Sequence, residues 1–360
     1  MIYLDYNATT PCLSQCIDAM SIFGQKEFGN PASTHPFGQA AAKAVNNATV
    51  AVAELIGATP EQIIFTGSAT EANNQAIFQA PPGSEIVLSN AEHASIYQTA
   101  HLRGNVSLSA PNAESIIANL TGRTRLVALN LANHESGELL QDAEQFADEI
   151  RRRGIALHFD ATQAVGKIPL DVSRLNCDTM AFSAHKIYGP KGIGALFVRD
   201  PEHCQALLTG GGQQNGLRAG TLNVPGIVGF GVAAGQVRYP DSAPRDRFEK
   251  LLSASGLNCK IVAADSQRLP QTCCVLFPGL NGEKLVGELG QAGLCVSSGS
   301  ACSAGEISRI LLAQGIEPIA AAGALRVSFG IDSTIAEAES AFNIIQRIVL
   351  KHKISGVIDV

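Results

Sequence analysis

An α/β fold, with a mainly parallel sheet in a large first domain and a smaller α/β domain after it, is what this 360-residue sequence predicts. Three observations predict it. Short β-rich runs alternate with helical patterns from about residue 34 to residue 200, the pattern of helices layered on parallel strands. Hydrophobic residues make up 46% of the chain and charged residues only 16%, well under the roughly 25% usual in soluble domains. That composition supplies a substantial core and excludes a disordered chain or a coiled coil. Finally, the pattern stops at Tyr239–Asp246, which carries Pro240 and Pro244, and resets beyond it.

The elements follow in order. Val45, Ala48, Val52, Leu55 and Ile56 fall on one helical face, with Gly57 as the stop. Strand-like runs come next at Ile63–Thr66, Glu85–Ser89, Val106–Ser109, Arg125–Ala132, Ile155–Asp160 and Gly194–Val198, and an apolar strand precedes Lys186. A helix over Asp142–Arg153 closes at Gly154, and Arg151–Arg153 read as cations on its last turn. The most apolar window, Gly226–Val237, is short and broken by glycines. After the linker, strands are expected at Lys260–Ala264, Thr272–Phe277 and Leu325–Phe329, with helices at Glu283–Ala292 and Ser333–Lys351.

The net charge of −6 argues against nucleic acid or an anionic membrane as a partner. No stretch approaches the ~18 continuous apolar residues of a membrane span. Met1-Ile2-Tyr3-Leu4-Asp5 meets an acid where a signal peptide needs a basic flank and an apolar run. Nine cysteines, an odd number without a framework, read as free thiols in a reducing compartment, and the expected location is the cytoplasm.

Two stretches carry chemistry. Ile155–Asp160 ends a buried strand in a carboxylate, where α/β proteins build sites; alone, Asp160 also reads as a helix cap. Lys186, in Ser183-Ala184-His185-Lys186, lies between an apolar strand and a Gly-Pro turn that could desolvate its amine, as a Schiff-base lysine requires. Asp on one strand and Lys on the next suit pyridoxal phosphate, whose ring nitrogen takes the carboxylate while its aldehyde takes the lysine. Thr66–Glu71, between a strand and a helix, offers hydroxyls and N–H groups to a phosphate. With no Walker lysine and no GxGxxG there, nucleotide readings fall away.

Together with Tyr3–Pro11, Gly29–Ser33, Phe65–Asn74, Ala91–His93, Gly210–Thr221, Val296–Ser303 and Leu325–Gly330, these stretches span nearly the whole chain in order. The sequence resembles the cysteine desulfurase family of the class V aminotransferase superfamily, in its branch with a short catalytic loop. The resemblance implies the fold type I of pyridoxal phosphate-dependent transferases. Its large domain would cover residues 13–238, and its small domain 1–12 and 239–360 with the catalytic cysteine loop. It implies that Lys186 holds pyridoxal 5'-phosphate and shuttles protons, Asp160 pairs with the pyridine nitrogen, Gln163 bonds the phenolic oxygen and His93 stacks on the ring. His93 alone would read as a helix cap. Phosphate contacts are implied for Ala69, Thr70, Ser183 and His185, and Thr221 would reach the phosphate of a neighbouring subunit in a homodimer. Arg326 would clamp the substrate carboxylate, and His134 stands where relatives contact cofactor and that carboxylate.

Cys302, set among Gly, Ser and Ala, is the cysteine assigned to catalysis; Cys177, Cys273 and Cys274 read as core. The implied reaction takes sulfur from L-cysteine, leaving L-alanine and a persulfide on Cys302 for an acceptor or an iron-sulfur scaffold protein. Selenocysteine lyase, aminotransferase and a non-catalytic paralogue are the alternatives. The chain departs from relatives at His134, where they carry Asn, at Gly67-Ser68, where the order is reversed, and at Gln214, where they carry Glu. The loop after Cys302 is also shorter.

Overall fold

The computed structural model describes residues 1–299 and 307–354. They divide into two compact units, one comprising Thr10–Leu131 and Leu140–Arg238, the other Met1–Thr9, Ala132–Leu139 and the chain from Tyr239 onward.

A seven-stranded sheet forms the larger unit, in the order Ile63–Thr66, Gly194–Val198, Thr179–Ser183, Ala156–Asp160, Thr124–Asn130, Glu85–Ser89 and Asn105–Ser109. Only Gly194–Val198 runs against the others. Thr179–Ser183 and Gly194–Val198 are buried at every position, which is why such strands read as unbroken apolar runs rather than alternations. Three expected strands match residue for residue, Ile63–Thr66, Glu85–Ser89 and Gly194–Val198; the others shift by one or two positions at an end.

The glycine-broken window turns out to be a helix, Val224–Gly235. Its glycines let a neighbour approach rather than end the helix. A Cβ on Gly231 would lie 2.6 Å from the Cα of Ala48 in the helix Pro36–Glu54, so the two helices cross almost backbone to backbone.

In the smaller unit, a four-stranded antiparallel sheet has the order Ser297–Ser298, Ala324–Ser328, Thr272–Leu276 and Lys260–Ile261. A separate parallel pair joins Ile2–Tyr3 to Leu294–Cys295. Strand alternation sorts the core. Cys273, Val275, Leu325 and Val327 pack with Phe248, Leu285, Phe342 and Ile345 from the helices Ala243–Ala254, Gly282–Gln291 and Ile335–Ile354, while Cys274, Leu276 and Ala324 turn to Val262, Leu311 and Ala321.

Several expectations need correction. The strand expected over Lys260–Ala264 ends at Ile261, because Ala263 has φ +53° and its carbonyl accepts from Ser266 N–H in a turn. Residues 10–12 fall in the larger unit, where Thr10 bonds the backbone of His185 and Tyr188. Ala132–Leu139 falls in the smaller one, tied by Leu139 N–H to Gln267 O at 2.9 Å and Leu269 N–H to Gly137 O at 2.8 Å.

Candidate active site

The larger unit gathers most of the predicted site residues at the carboxyl edge of its parallel strands. Asp160 ends Ala156–Asp160, Ser183 ends the adjacent Thr179–Ser183, and a 3-10 turn, Ala184–Lys186, follows at once. Asp160 is buried, and each carboxylate oxygen accepts an N–H: Asn73 Nδ2 to Oδ2 at 2.8 Å and Thr162 N to Oδ1 at 2.9 Å. The bond to Thr162 N–H shows the local capping role, while Asn73 comes from a distant helix. His158, on the same strand and fully buried, places Nε2 2.9 Å from Asn73 Oδ1 and Nδ1 2.9 Å from Thr179 Oγ1. Burial pushes its imidazole down to about 4, against the opposing pull of Asp160.

The turn that carries Lys186 is held from beneath. His185 O accepts from both the amide and the hydroxyl of Thr10, at 3.1 and 3.0 Å. Thr10 Oγ1 in turn accepts from Tyr188 N–H at 2.9 Å, and Tyr188 sits in the left-handed region at φ +67°. Burial, then the cations Lys186, Lys191 and Lys167, push His185 down to about 4, so at neutral pH its ring is uncharged. Lys167, itself buried, donates to Gln163 Oε1.

Ser68 N-caps the helix Ala69–Phe78, accepting from Glu71 N–H at 3.2 Å. Ala69 is buried and Thr70 exposed. A Cβ on Gly194 would stand 2.6 Å from the Ser68 carbonyl carbon and 2.8 Å from Ala69 N, so only glycine lets that strand begin against this helix end. Arg218 grips Glu71 with two N–H groups at 2.8 and 3.2 Å, and the exposed Thr221 follows in the same loop. Gln214, the expected oddity, bonds Phe65 twice: Oε1 accepts from Phe65 N–H at 2.6 Å and Nε2 donates to Phe65 O at 2.8 Å. An amide does both where an ionised carboxylate, an acceptor only, cannot, which accounts for glutamine here.

His93 N-caps Ala94–Arg103, its Nδ1 accepting from Ser95 N–H at 3.1 Å. Capping and ring stacking are compatible, because the cap uses the in-plane lone pair of Nδ1 rather than the ring's π face. Glu92 beside it is buried, accepts from Ser89 Oγ at 2.5 Å, and is pushed up to about 8, first by burial.

The smaller unit holds the other cluster. Arg326, in the middle of Ala324–Ser328, is buried, not at the surface as an isolated strand arginine would be. Its Nη1 donates to His134 O at 2.9 Å and its Nη2 to Asp5 Oδ1 at 3.0 Å and Ser297 Oγ at 3.2 Å, while its buried Nε has no partner. So it is the carbonyl of His134 that meets Arg326. Glu135 is buried, accepts from Ser308 Oγ at 2.6 Å, and is pushed up to about 7, mainly by burial. Cys302 lies outside the described residues. Burial pushes the Cys16 and Cys177 thiols up to about 12, so both are protonated.

The sequence reading passes over Asn73, His158, Lys167, Glu135 and Asp5. The local signal for Glu135 is a carboxylate inside an otherwise apolar or small-residue stretch, at His134-Glu135.

A family model for class-V aminotransferases matches residues 2–340. Over 370 aligned residues the chain is 40% identical to a cysteine desulfurase of Cereibacter sphaeroides, covering 97% of this chain and 95% of that one. The chain belongs to the cysteine desulfurase family. Among solved structures, a NifS-like protein superposes with a TM-score of 0.87 at 30% identity, over 97% of this chain and 99% of that one. SspA, solved in complex with cysteine, gives 0.82 at 30% identity, over 91% of this chain and 99% of its own.

Cysteine desulfurases depend on pyridoxal 5'-phosphate, and the residues present fit it. A buried carboxylate at the sheet edge, an adjacent lysine and a capped helix N-terminus supply the donor and acceptor set it needs. Thr162 Oγ1, between Asp160 and Gln163, is buried without a hydrogen-bond partner, a polar group with capacity left for a ligand. Among the described residues no group of His, Cys, Asp and Glu could hold a metal ion, and no helix is long and apolar enough to cross a membrane.

Proposed function

We propose that this chain is a cysteine desulfurase that removes sulfur from L-cysteine, releasing L-alanine and leaving a persulfide on Cys302. One observation carries the reading most directly. Adjacent parallel strands deliver Asp160 and Lys186 to the same sheet edge, with Asp160 already held by two N–H donors.

Asp160 would hold the pyridine nitrogen of the cofactor and Gln163 its phenolic oxygen. Ala69, Thr70, Ser183 and His185 would hold the phosphate, and His93 would cover the ring. When bound, pyridoxal phosphate supplies the electron sink that makes removal of the substrate α-proton feasible. Lys186 Nζ takes that proton and returns it. Arg326 and His134 orient the substrate, the guanidinium binding its carboxylate. The Cys302 thiolate then attacks the substrate sulfur. A sulfur–sulfur bond forms, the carbon–sulfur bond breaks, and its electron pair stays on the β-carbon, which is protonated to the methyl group of alanine.

Further assignments belong to the same proposal. The eight described cysteines are free, which supports a reducing, cytoplasmic setting. Exposed Ile17, Ile22, Phe28 and Phe37 on the larger unit support a homodimer, in which Thr221 serves the neighbouring site. The persulfide would pass to an acceptor, in iron-sulfur cluster biogenesis to a scaffold protein.

Purified protein given L-cysteine should release alanine and sulfide in step, and Lys186→Ala and Cys302→Ala should each abolish sulfide release. Alanine release undiminished in Cys302→Ala would overturn the persulfide route. Amino-group transfer to a keto acid would make the chain an aminotransferase, and turnover of selenocysteine alone would make it a lyase. Cofactor binding without any turnover would mark a non-catalytic paralogue.

A further inference from the structure

His158 and Asp160 stand two positions apart on one strand, so their side chains share a face of the sheet. Two helices bring partners to that face: Ala69–Phe78 carries Asn73, and Ala94–Arg103 carries Ser95. Asn73 splits its amide between them. Its Oδ1 meets His158 Nε2 at 2.9 Å, and its Nδ2 meets both Asp160 Oδ2 and Ser95 Oγ at 2.8 Å. Ser95 Oγ then reaches His93 Nδ1 at 2.8 Å.

We propose that His158 is a positioning residue for the desulfurase reaction: through Asn73 it fixes the Asp160 carboxylate and, by way of Ser95, the His93 imidazole. This rests on Asp160 and His93 as the cofactor contacts of the preceding section.

The argument turns on which way the Asn73 amide faces. In one orientation Nδ2 donates to Asp160 and Ser95. In the other, Oδ1 faces the Asp160 carboxylate, two acceptors together with no proton between them. His158 holds the first orientation, because a proton on Nε2 can bond only Oδ1. The Thr179 hydroxyl at 2.9 Å, donor as well as acceptor, accommodates that tautomer by donating to an unprotonated Nδ1. The ring is neutral at physiological pH, burial having pushed it down to about 4. Glu92, the other carboxyl near Asp160, is pushed up to about 8 and so does not compete as an anion for the same donors at neutral pH. With Nδ2 so directed, the Ser95 hydroxyl accepts from Asn73 and has its own proton for His93 Nδ1, which leaves Nε2 of His93 protonated. One buried histidine thereby sets the orientation of two cofactor contacts on two different elements.

The test uses wild-type protein and the variants His158→Phe, His158→Gln and Ser95→Ala, each stripped of cofactor and titrated with pyridoxal phosphate. The His158→Phe variant should bind the cofactor about tenfold more weakly and lose about tenfold in kcat, with KM for cysteine within about twofold, the scale of one hydrogen bond to a charged group. The pH at which the absorbance of its bound cofactor changes should also move. A glutamine N–H at His158→Gln should recover much of each loss. The Ser95→Ala protein should lose kcat while keeping cofactor affinity within about twofold, because its Asp160 branch is intact. Wild-type affinity and an unmoved absorbance transition in His158→Phe would overturn the proposal, as would losses that track melting temperature and are not recovered by glutamine. Should His158→Phe fail to fold, Thr179→Val probes the same chain from its far end, and an unmoved transition there also overturns it. Wild-type protein that binds no pyridoxal phosphate would sink the functional reading, and the positioning role with it.

Discussion

Arg326 and Asp5 form an ion pair, Nη2 to Oδ1 at 3.0 Å, with the Arg326 side chain 4% exposed and that of Asp5 18%. The pair sets both the charge and the direction of the group proposed to take the substrate carboxylate. One acid already answers part of that charge, and a buried Nε remains without a partner. Removing one member of such a pair strands the other in a poorly solvated place. Asp5→Ala should therefore destabilise the protein by about 3 kcal/mol. Asp5→Asn keeps an acceptor for Nη2 while removing the competing charge, so it should cost less stability and lower KM for cysteine. Melting curves and steady-state kinetics of the two variants check this. A higher KM in Asp5→Asn would count against Arg326 as the carboxylate clamp.

Gln214 makes two bonds to Phe65 that state the local requirement: one acceptor for N–H and one donor for C=O. Gln214→Glu keeps the acceptor and loses the donor, setting a carboxylate oxygen against the Phe65 carbonyl. The expected loss is about 1–3 kcal/mol at neutral pH, smaller in acid where the carboxyl regains a proton to donate. Urea unfolding at two pH values measures it. Equal stability at both would show that the pair of bonds has no energetic weight.

Stability should also fall as pH rises through neutrality. Glu135 is raised from 4.5 to about 7 and Glu92 from 4.5 to about 8, both chiefly by burial. Between the unfolded and folded values the native state holds protons that the unfolded chain has released, so the slope of stability against pH is negative there. The contribution is fully present below about 4.5 and is lost as pH passes through about 7 for Glu135 and about 8 for Glu92. Scanning calorimetry of cofactor-free protein from pH 5 to 9, at roughly half-unit steps, should show this decline. Glu135→Gln should flatten the decline only below about pH 7, and Glu92→Gln should flatten it up to about pH 8. A wild-type melting temperature that climbs across the window would reverse the assignment.

Legibility in the sequence followed the range of the interactions. Strands such as Glu85–Ser89 and Gly194–Val198 could be read to the residue, because burial on both faces imposes a continuous apolar run that ends where the chain leaves the sheet. The placement of Asp160 at a strand's end and of Lys186 just beyond the next strand could be read from the local pattern, because each apolar run stops there. Asn73 and His158 could not be read that way. Their meaning comes from contacts between positions 73, 95, 158 and 179, and no local period records that. The Arg326–Asp5 pair spans 321 positions and was equally hidden. Val224–Gly235 was obscured for another reason: glycine is a poor helix former taken alone, and the neighbour it admits lies in another helix.

That crossing gives the last expectation. Gly231 stands where an added Cβ would lie 2.6 Å from both Cα and Cβ of Ala48, distances that neither backbone can accommodate without the helices parting. Helix propensity alone would make Gly231→Ala stabilising by up to about 1 kcal/mol. The crowding acts the other way and should win, leaving a net loss of about 1–3 kcal/mol. Gly235→Ala is the internal control, since a Cβ there meets nothing within 4 Å and only the propensity gain remains. Unfolding in urea should thus move the two midpoints in opposite directions. If both alanines raise the midpoint, the helices have slack that the observed approach denies; if both lower it, the glycines matter for a reason other than the contact with Ala48.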